Sequence, residues 1–271
     1  MRTLPSAIAM LAGLAAGWLS PAAAQDAPVD LELVLAVDVS WSMDYDEQEL
    51  QRAGYVAAFR DPEVLEAISG GGYGKIAVTY VEWAGAPSQA VVVPWTLIDG
   101  KASAEAFAQA LEATRIGRLR RTSISGALAF SYPLFEGNGY EGVRRVVDVS
   151  GDGANNQGAP VEIARDLLVS DGITINGLPI MIKAGDPGGF MSVDNLDIYY
   201  EHCVIGGPSA FLVPVTDASL FAVAIRRKMI LEIAGQTPRV IPAQFERRAP
   251  RVDCLVGEKM WQERRRSRDW Q

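Results

Sequence analysis

In the stretch LVLAVDVSWSMDYDEQEL, residues 33–50, an apolar run ends on Asp38, and hydroxyls follow at Ser40 and Ser42. A carboxylate and two hydroxyls are hard oxygen donors, of the kind that suits Mg²⁺, Mn²⁺ or Ca²⁺ rather than zinc or copper. The alternating spacing lets one loop aim successive oxygens at one point. Two other places offer oxygen in a similar setting. RRTSISGAL puts Thr122 at the start of a helical stretch, and VVDVSGDGANNQG puts Asp152 just past an apolar strand, before Gly153. With Asp46 and Glu49 added, the first cluster mimics the oxygen spacing of a calcium-binding EF-hand loop. That reading fails, because Met43 stands where such a loop needs Gly for its turn and a strand rather than a helix leads in. The acids at 44–49 read instead as the first turn of a helix, facing the positive end of its dipole, and Asp44 with Glu47 has capping-box spacing.

Other chemistries find little support. His202 is the only histidine, so mechanisms needing two are excluded. No Gly-x-Ser-x-Gly elbow is present, no C-x-x-C occurs, and no general base accompanies the oxygen cluster. SGGGYG (69–74) lacks the spacing of a phosphate-binding glycine motif and reads as a turn.

The elements that must position the oxygens alternate in type. LELVLAV (31–37) is a continuous apolar run and predicts a buried strand. DEQELQRAGYVAAF predicts a helix with Leu50, Ala53, Gly54, Ala57 and Ala58 on one face. Segments 74–85 and 90–98 read as a hairpin, with Pro94 marking the second as an edge strand. Helices follow at about 103–115 and 123–135, then a strand at 144–151, a helix beginning at Pro160 and stopping at Gly172, and a strand at 173–180. Residues 210–215 predict a last strand, and a helix runs from a cap at Asp217 to a stop at Gly235. Such alternation implies an α/β fold: a doubly wound, mostly parallel sheet of about six strands, helices on both faces and one antiparallel edge strand. Ligands of such sheets bind beyond the carboxyl ends of strands where the order reverses, which is where Asp38, Ser40 and Ser42 fall.

The chain has 271 residues, a net charge of −8 and 49% hydrophobic residues. That composition fits a globular protein with a sizeable core and argues against nucleic acid as a partner. Arg2, the apolar run 7–19 and small residues at Ala22 and Ala24 predict a signal peptide cleaved after Ala24. The run is too short for a membrane span. An exported protein, periplasmic or secreted, is therefore expected, with residues 25–235 as the domain, an inserted loop at about 184–209 and an extended, Pro- and Arg-rich C-terminal tail at 236–271. Cys203 and Cys254 are the only cysteines. In an oxidising compartment the pair predicts one disulfide that docks the tail; the alternative is two buried thiols.

Asp-x-Ser-x-Ser after the first strand, Thr122 followed by Ala127-Leu128, and a strand ending in Asp152-Gly153 together resemble the von Willebrand factor type A (vWA) domain, over about residues 30–235. VEWAG, RTSISGAL, VSGDGANNQG and CVIGGPSAFLVPV further resemble an uncharacterised family of exported bacterial proteins with this domain. The resemblance implies that Asp38, Ser40, Ser42, Thr122 and Asp152 form a metal-ion-dependent adhesion site. Ser40 and Ser42 would then bind Mg²⁺ (or Mn²⁺ or Ca²⁺) directly, Thr122 directly or through water, and the two aspartates largely through water. It also implies a protein partner that offers an Asp or Glu carboxylate to the metal. Arg120 and Arg121 stand where the family commonly has Gly-Gly, which would weaken cation affinity. The expected function is an exported, metal-dependent protein-binding module, not an enzyme. Its rivals are a metal-assisted hydrolase and a scaffold subunit whose site is unused.

Overall fold

β1 (Ala27–Asp38) is long because both its faces are covered. Leu31, Leu33, Leu35 and Val37 enter one apolar layer, and Val34 and Ala36 the other. An apolar run without alternation is the mark of such a strand. The computed structural model describes residues 26–182, 193, 195–235 and 252–268. The expected signal peptide, residues 184–192 and 194 of the expected insertion, and residues 236–251 and 269–271 of the expected tail lie outside the described residues.

Beyond β1 come α1 (Tyr45–Arg60), α2 (Pro62–Ser69), β2 (Ile76–Trp83), β3 (Gln89–Ile98), α3 (Lys101–Glu112), α4 (Ile124–Ser131), β4 (Tyr140–Gly151), α5 (Val161–Ser170) and β5 (Ile173–Pro179). They are followed by α6 (Leu196–Tyr199), α7 (Phe221–Ala234) and α8 (Val256–Arg268). The sheet order is β3-β2-β1-β4-β5, parallel except for the β2–β3 hairpin. The chain thus leaves β1 on one side and returns to its other side through β4. The switch point of the sheet is the carboxyl end of β1, and Asp38 is the last residue there. Helices α1, α2, α3 and α7 pack on one face, and α4, α5 and α6 on the other.

Pro94 lies on the edge strand β3, at a break in the register between Val93 and Thr96. The expected sixth strand is reduced to isolated bridges from Leu212 and Val215 to Gly177 and Ile180. The cause is visible in the hydrogen bonds. Gly177 N–H donates to Phe211 O, Val213 N–H to Gly177 O, Val215 N–H to Pro179 O and Met181 N–H to Val215 O. The missing rung is the one Pro179 would donate, and proline has no N–H.

Three further expectations need correction. On α1, Gly54 and Ala58 are buried, but Leu50, Ala53 and Ala57 face solvent. Gln48, Gln51, Tyr55 and Phe59 take the inner face, because the two glutamines find buried partners: Ser40 O for Gln48 and Ser150 Oγ for Gln51. The insertion is not simply a surface loop, since Tyr199, Tyr200, Cys203 and Val204 lie fully buried in the second apolar layer. The C-terminal extension, expected to be extended, contains the thirteen-residue helix α8. It is joined to the insertion by a Cys203–Cys254 disulfide with a Cα–Cα distance of 5.5 Å. Among the described residues no helix is long and apolar enough to cross a membrane.

Candidate functional site

Three loops meet at the carboxyl end of the sheet. In the first, Asp38 is fully buried and its Oδ1 accepts from the Ser40 N–H at 2.7 Å, which folds the backbone back on the strand end. Ser40 Oγ lies 2.7 Å from Ser42 Oγ. Ser42 Oγ then donates to Asp152 Oδ1 at 2.6 Å, crossing from the β1 loop to the β4 loop. Immediately after this loop, Asp44 caps α1. Its carboxylate accepts from Glu47 N–H at 3.0 Å, and the Glu47 side chain accepts from Asp44 N–H at 2.9 Å, so the expected capping box is formed.

The second loop runs beside the first. Leu119 N–H donates to Val39 O, and Trp41 N–H to Leu119 O, a short strand-like rung between the two. The buried Glu82 carboxylate holds the start of this loop by accepting from Gly117 N–H at 2.9 Å, while its other oxygen pairs with Arg52. Thr122 closes the loop and is buried, and Thr122 Oγ1 faces the Asp152–Gly153 turn, 3.8 Å from where a Cβ on Gly153 would stand. Arg120 and Arg121 do not hang freely beside it. The Arg120 guanidinium sits 4.2 Å from the Trp41 ring centroid, and that of Arg121 sits 3.3 Å from the Trp261 ring centroid.

The third loop, after β4, is tied to the second by a row of amides. Asn156 N–H donates to Thr122 O at 2.9 Å, and Asn156 Oδ1 accepts from Thr122 N–H at 3.1 Å. Ser123 Oγ donates to Gln157 O at 2.7 Å. The buried Asn155 Oδ1 accepts from Ser125 N–H at 3.0 Å. Gly158, with φ at +93°, passes so close that a Cβ would stand 2.8 Å from Ser123 Oγ. Sequence reading missed Asn155, Asn156 and Gln157. Consecutive amides directly after a strand-ending Asp-Gly were the available signal.

The structure therefore brings Asp38, Ser40, Ser42, Thr122 and Asp152 to one end of the sheet. The electrostatics are unfavourable for Asp38. Burial pushes its carboxyl well above the usual carboxylate range, the Asp152 charge pushes the same way, and hydrogen bonding to Ser40 opposes both. Asp38 Oδ2 is buried without a hydrogen-bond partner. It lies 2.9 Å from where a Cβ on Gly151 would stand, so only glycine leaves room beside it. Tyr200, from the insertion, seals the floor by donating its phenol to Gly151 O at 3.4 Å. A buried carboxylate oxygen with no donor, set among hydroxyls, is chemically suited to a hard cation. Among the described residues no group of three or more His, Cys, Asp or Glu gathers as a metal site, and this cluster contributes only two carboxylates, Asp38 and Asp152, its other oxygens being hydroxyls. His202 is exposed, and its backbone carbonyl accepts from Arg165.

A family model described as "Protein of unknown function (DUF1194)" matches residues 28–237. No curated protein matches the sequence significantly. Among solved structures, proximal thread matrix protein 1 from the mussel byssus aligns with a TM-score of 0.55 at 16% identity, covering 78% of this chain and 49% of its own. Another crystal structure of that protein has a zinc-occupied MIDAS motif. A von Willebrand factor type A structure from Catenulispora acidiphila aligns at 0.53 and 14% identity, over 76% of this chain and 43% of its own. The pilus adhesin SpaC from Lactobacillus rhamnosus GG aligns at 0.54 and 13% identity, over 77% of this chain and 31% of its own. This chain thus spans about half or less of each of these proteins. At such identities the likeness is one of fold, and the fold is that of a vWA domain.

Proposed function

The chain belongs to the family described as "Protein of unknown function (DUF1194)", and from that starting point we propose that it is an exported, metal-dependent protein-binding module rather than an enzyme. Asp38, Ser40, Ser42, Thr122 and Asp152 hold a divalent cation of the Mg²⁺ type, with Mn²⁺ or Ca²⁺ as substitutes. The observation that carries this reading is Asp38 Oδ2, fully buried at the switch point of the sheet with no hydrogen-bond donor. A bound cation would neutralise the Asp38–Asp152 pair and offer an open coordination position to an Asp or Glu of the partner. The zinc-occupied motif of the mussel protein supports a divalent ion in this fold.

The rim supports a protein partner. Trp41 is 51% exposed and Leu119 44% exposed, and Arg120 stacks on the Trp41 indole beside Ser40 and Ser42. Tryptophan and arginine are the side chains that most often dominate protein interfaces. Export is supported by the leader pattern of residues 1–24 and by the Cys203–Cys254 bridge, which suits an oxidising compartment.

Thermal unfolding with and without millimolar Mg²⁺ or Mn²⁺ tests the site. At a hundredfold excess over the dissociation constant the native state gains about 2.7 kcal/mol, and Asp38→Ala should abolish the gain. Capture of a partner from periplasmic extract should be lost in EDTA and in Ser40→Ala. Melting curves of the wild type unchanged by every divalent ion would refute the metal, and capture that survives both treatments would favour a scaffold.

A further inference from the structure

We propose that the C-terminal helix α8 is a positioning part of the oxygen site: tethered by Cys203–Cys254, it clamps the Thr122 and Asp152 loops in their relative places. The consequence for metal affinity rests on the reading above; the clamping of the loops does not.

Four contacts carry the inference. Arg121, the residue before Thr122, has φ at +79°, a left-handed conformation that non-glycine residues seldom adopt and that surrounding contacts must hold. The holding contact is the Trp261 ring of α8, 3.3 Å from the guanidinium carbon. One turn earlier on the helix, Glu258 Oε1 accepts from Asn155 Nδ2 at 2.7 Å. Asn155 in turn accepts from Ser125 N–H, so one carboxylate of α8 steadies the β4 loop and, through it, the start of α4. Gly257 lets the helix backbone press on that loop: a Cβ there would stand 2.2 Å from Asn155 O. At the tether, Tyr199 Oη accepts from Asn155 N–H at 3.2 Å and donates to Cys254 O at 3.5 Å.

The composition of α8, VGEKMWQERRRSR, explains why it needs the tether. It has Val256, Met260 and Trp261 as its large apolar side chains, and an isolated helix of this length is marginal in water. Its order comes from the disulfide and the contacts just named. Those contacts land on the two loops that supply Thr122 and Asp152. Without α8, the amide row from Asn155 to Gln157 still links the loops, but Arg121 loses the partner that fixes its backbone.

The test uses the full chain in three variants: Trp261→Ala, Trp261→Phe and Glu258→Gln. Hydrogen exchange of residues 118–126 and 152–158 is followed in metal-free protein, and Mn²⁺ affinity is measured by calorimetry. Trp261→Ala and Glu258→Gln should speed exchange in both segments and weaken Mn²⁺ binding about ten- to a hundredfold, the scale on which outer-shell groups act. Trp261→Phe, which keeps a ring face for Arg121, should recover most of both. Unchanged exchange in Trp261→Ala and Glu258→Gln overturns the clamp, whatever the affinity. Loosened loops with wild-type Mn²⁺ affinity overturn its role toward the metal. If the wild type binds no divalent ion while Trp261→Ala still frees these amides, the metal reading falls and the clamp stands.

Discussion

Lys228, Asp148 and Glu232 form a fully buried triad between α7 and β4, in which one ammonium pairs with two carboxylates. Asn176 donates to Glu232 at 3.1 Å, and the Tyr55 hydroxyl to Asp148 at 3.4 Å. Full ionisation would leave a net negative charge in the core, which a low dielectric opposes. Burial first, and the Asp148 charge second, push the Glu232 carboxyl from 4.5 up to about 7, against the pull of Lys228. The sign of the pH effect follows. Between 4.5 and about 7 the folded state keeps a proton that the unfolded state has released, so stability falls as pH rises through that window. One pKa unit corresponds to about 1.4 kcal/mol, so this carboxyl removes about 3 kcal/mol by pH 7.5. Glu232→Gln stays neutral throughout. It should match the wild type near pH 4.5 and exceed it by about 3 kcal/mol at pH 7.5 and above. Lys228→Met removes the triad's cation and should lose about 3–5 kcal/mol at pH 8, with a smaller loss at pH 5 where Glu232 holds its proton. Urea unfolding of metal-free protein at a series of pH values measures both. A Glu232→Gln minus wild-type difference that does not widen between pH 5 and 7.5 would refute the reasoning.

Two further outcomes concern packing and covalent structure. Replacing Cys203 and Cys254 by Ser should lower unfolding stability by roughly 4 kcal/mol, from the entropy of a closed loop of 51 residues; unreduced peptide mapping checks the bridge, and free uptake of alkylating reagent by both cysteines would disprove it. Gly54→Ala should destabilise by about 1–3 kcal/mol despite its better helix propensity, because its Cβ would stand 2.5 Å from Ile225 Cδ1 where α1 crosses α7. Ile225→Val removes that atom and should restore part of the loss in denaturant titration.

The parts of the fold that local chemistry decides were legible from residues alone. The apolar run into Asp38, the Asp44–Glu47 box, Pro94 on an edge and Gly235 at a helix stop each follow from one or two neighbouring side chains. What was not legible depends on partners far away in the chain. Gln48 and Gln51 are buried at the expense of Leu50 because their acceptors, Ser40 O and Ser150 Oγ, come from strand ends that only the folded sheet brings near. The helix at the C-terminus has little apolar periodicity of its own, and its order derives from Cys203, Arg121 and Asn155. At the candidate site, the five oxygens could be named from spacing, but their supports could not. Asn156 reads as one more loop amide until Thr122 is found opposite it, and Tyr200 as one more aromatic until Gly151 opens beneath Asp38.

The prolines at the two sides of the sheet have a consequence for how copies of this protein meet. An exposed outer strand is a template on which a strand of another molecule can pair, and sheets that keep such strands regular tend to assemble into fibres. Pro94 breaks the register of β3 and withholds a donor on one side. On the other side, β5 meets residues 212–215 through an interrupted ladder, because Pro179 has no donor to give. The β3 flank therefore presents an irregular edge, and the β5 flank is covered by residues 212–215 instead of standing open. Edge-to-edge pairing of two copies through bare backbone is thereby disfavoured.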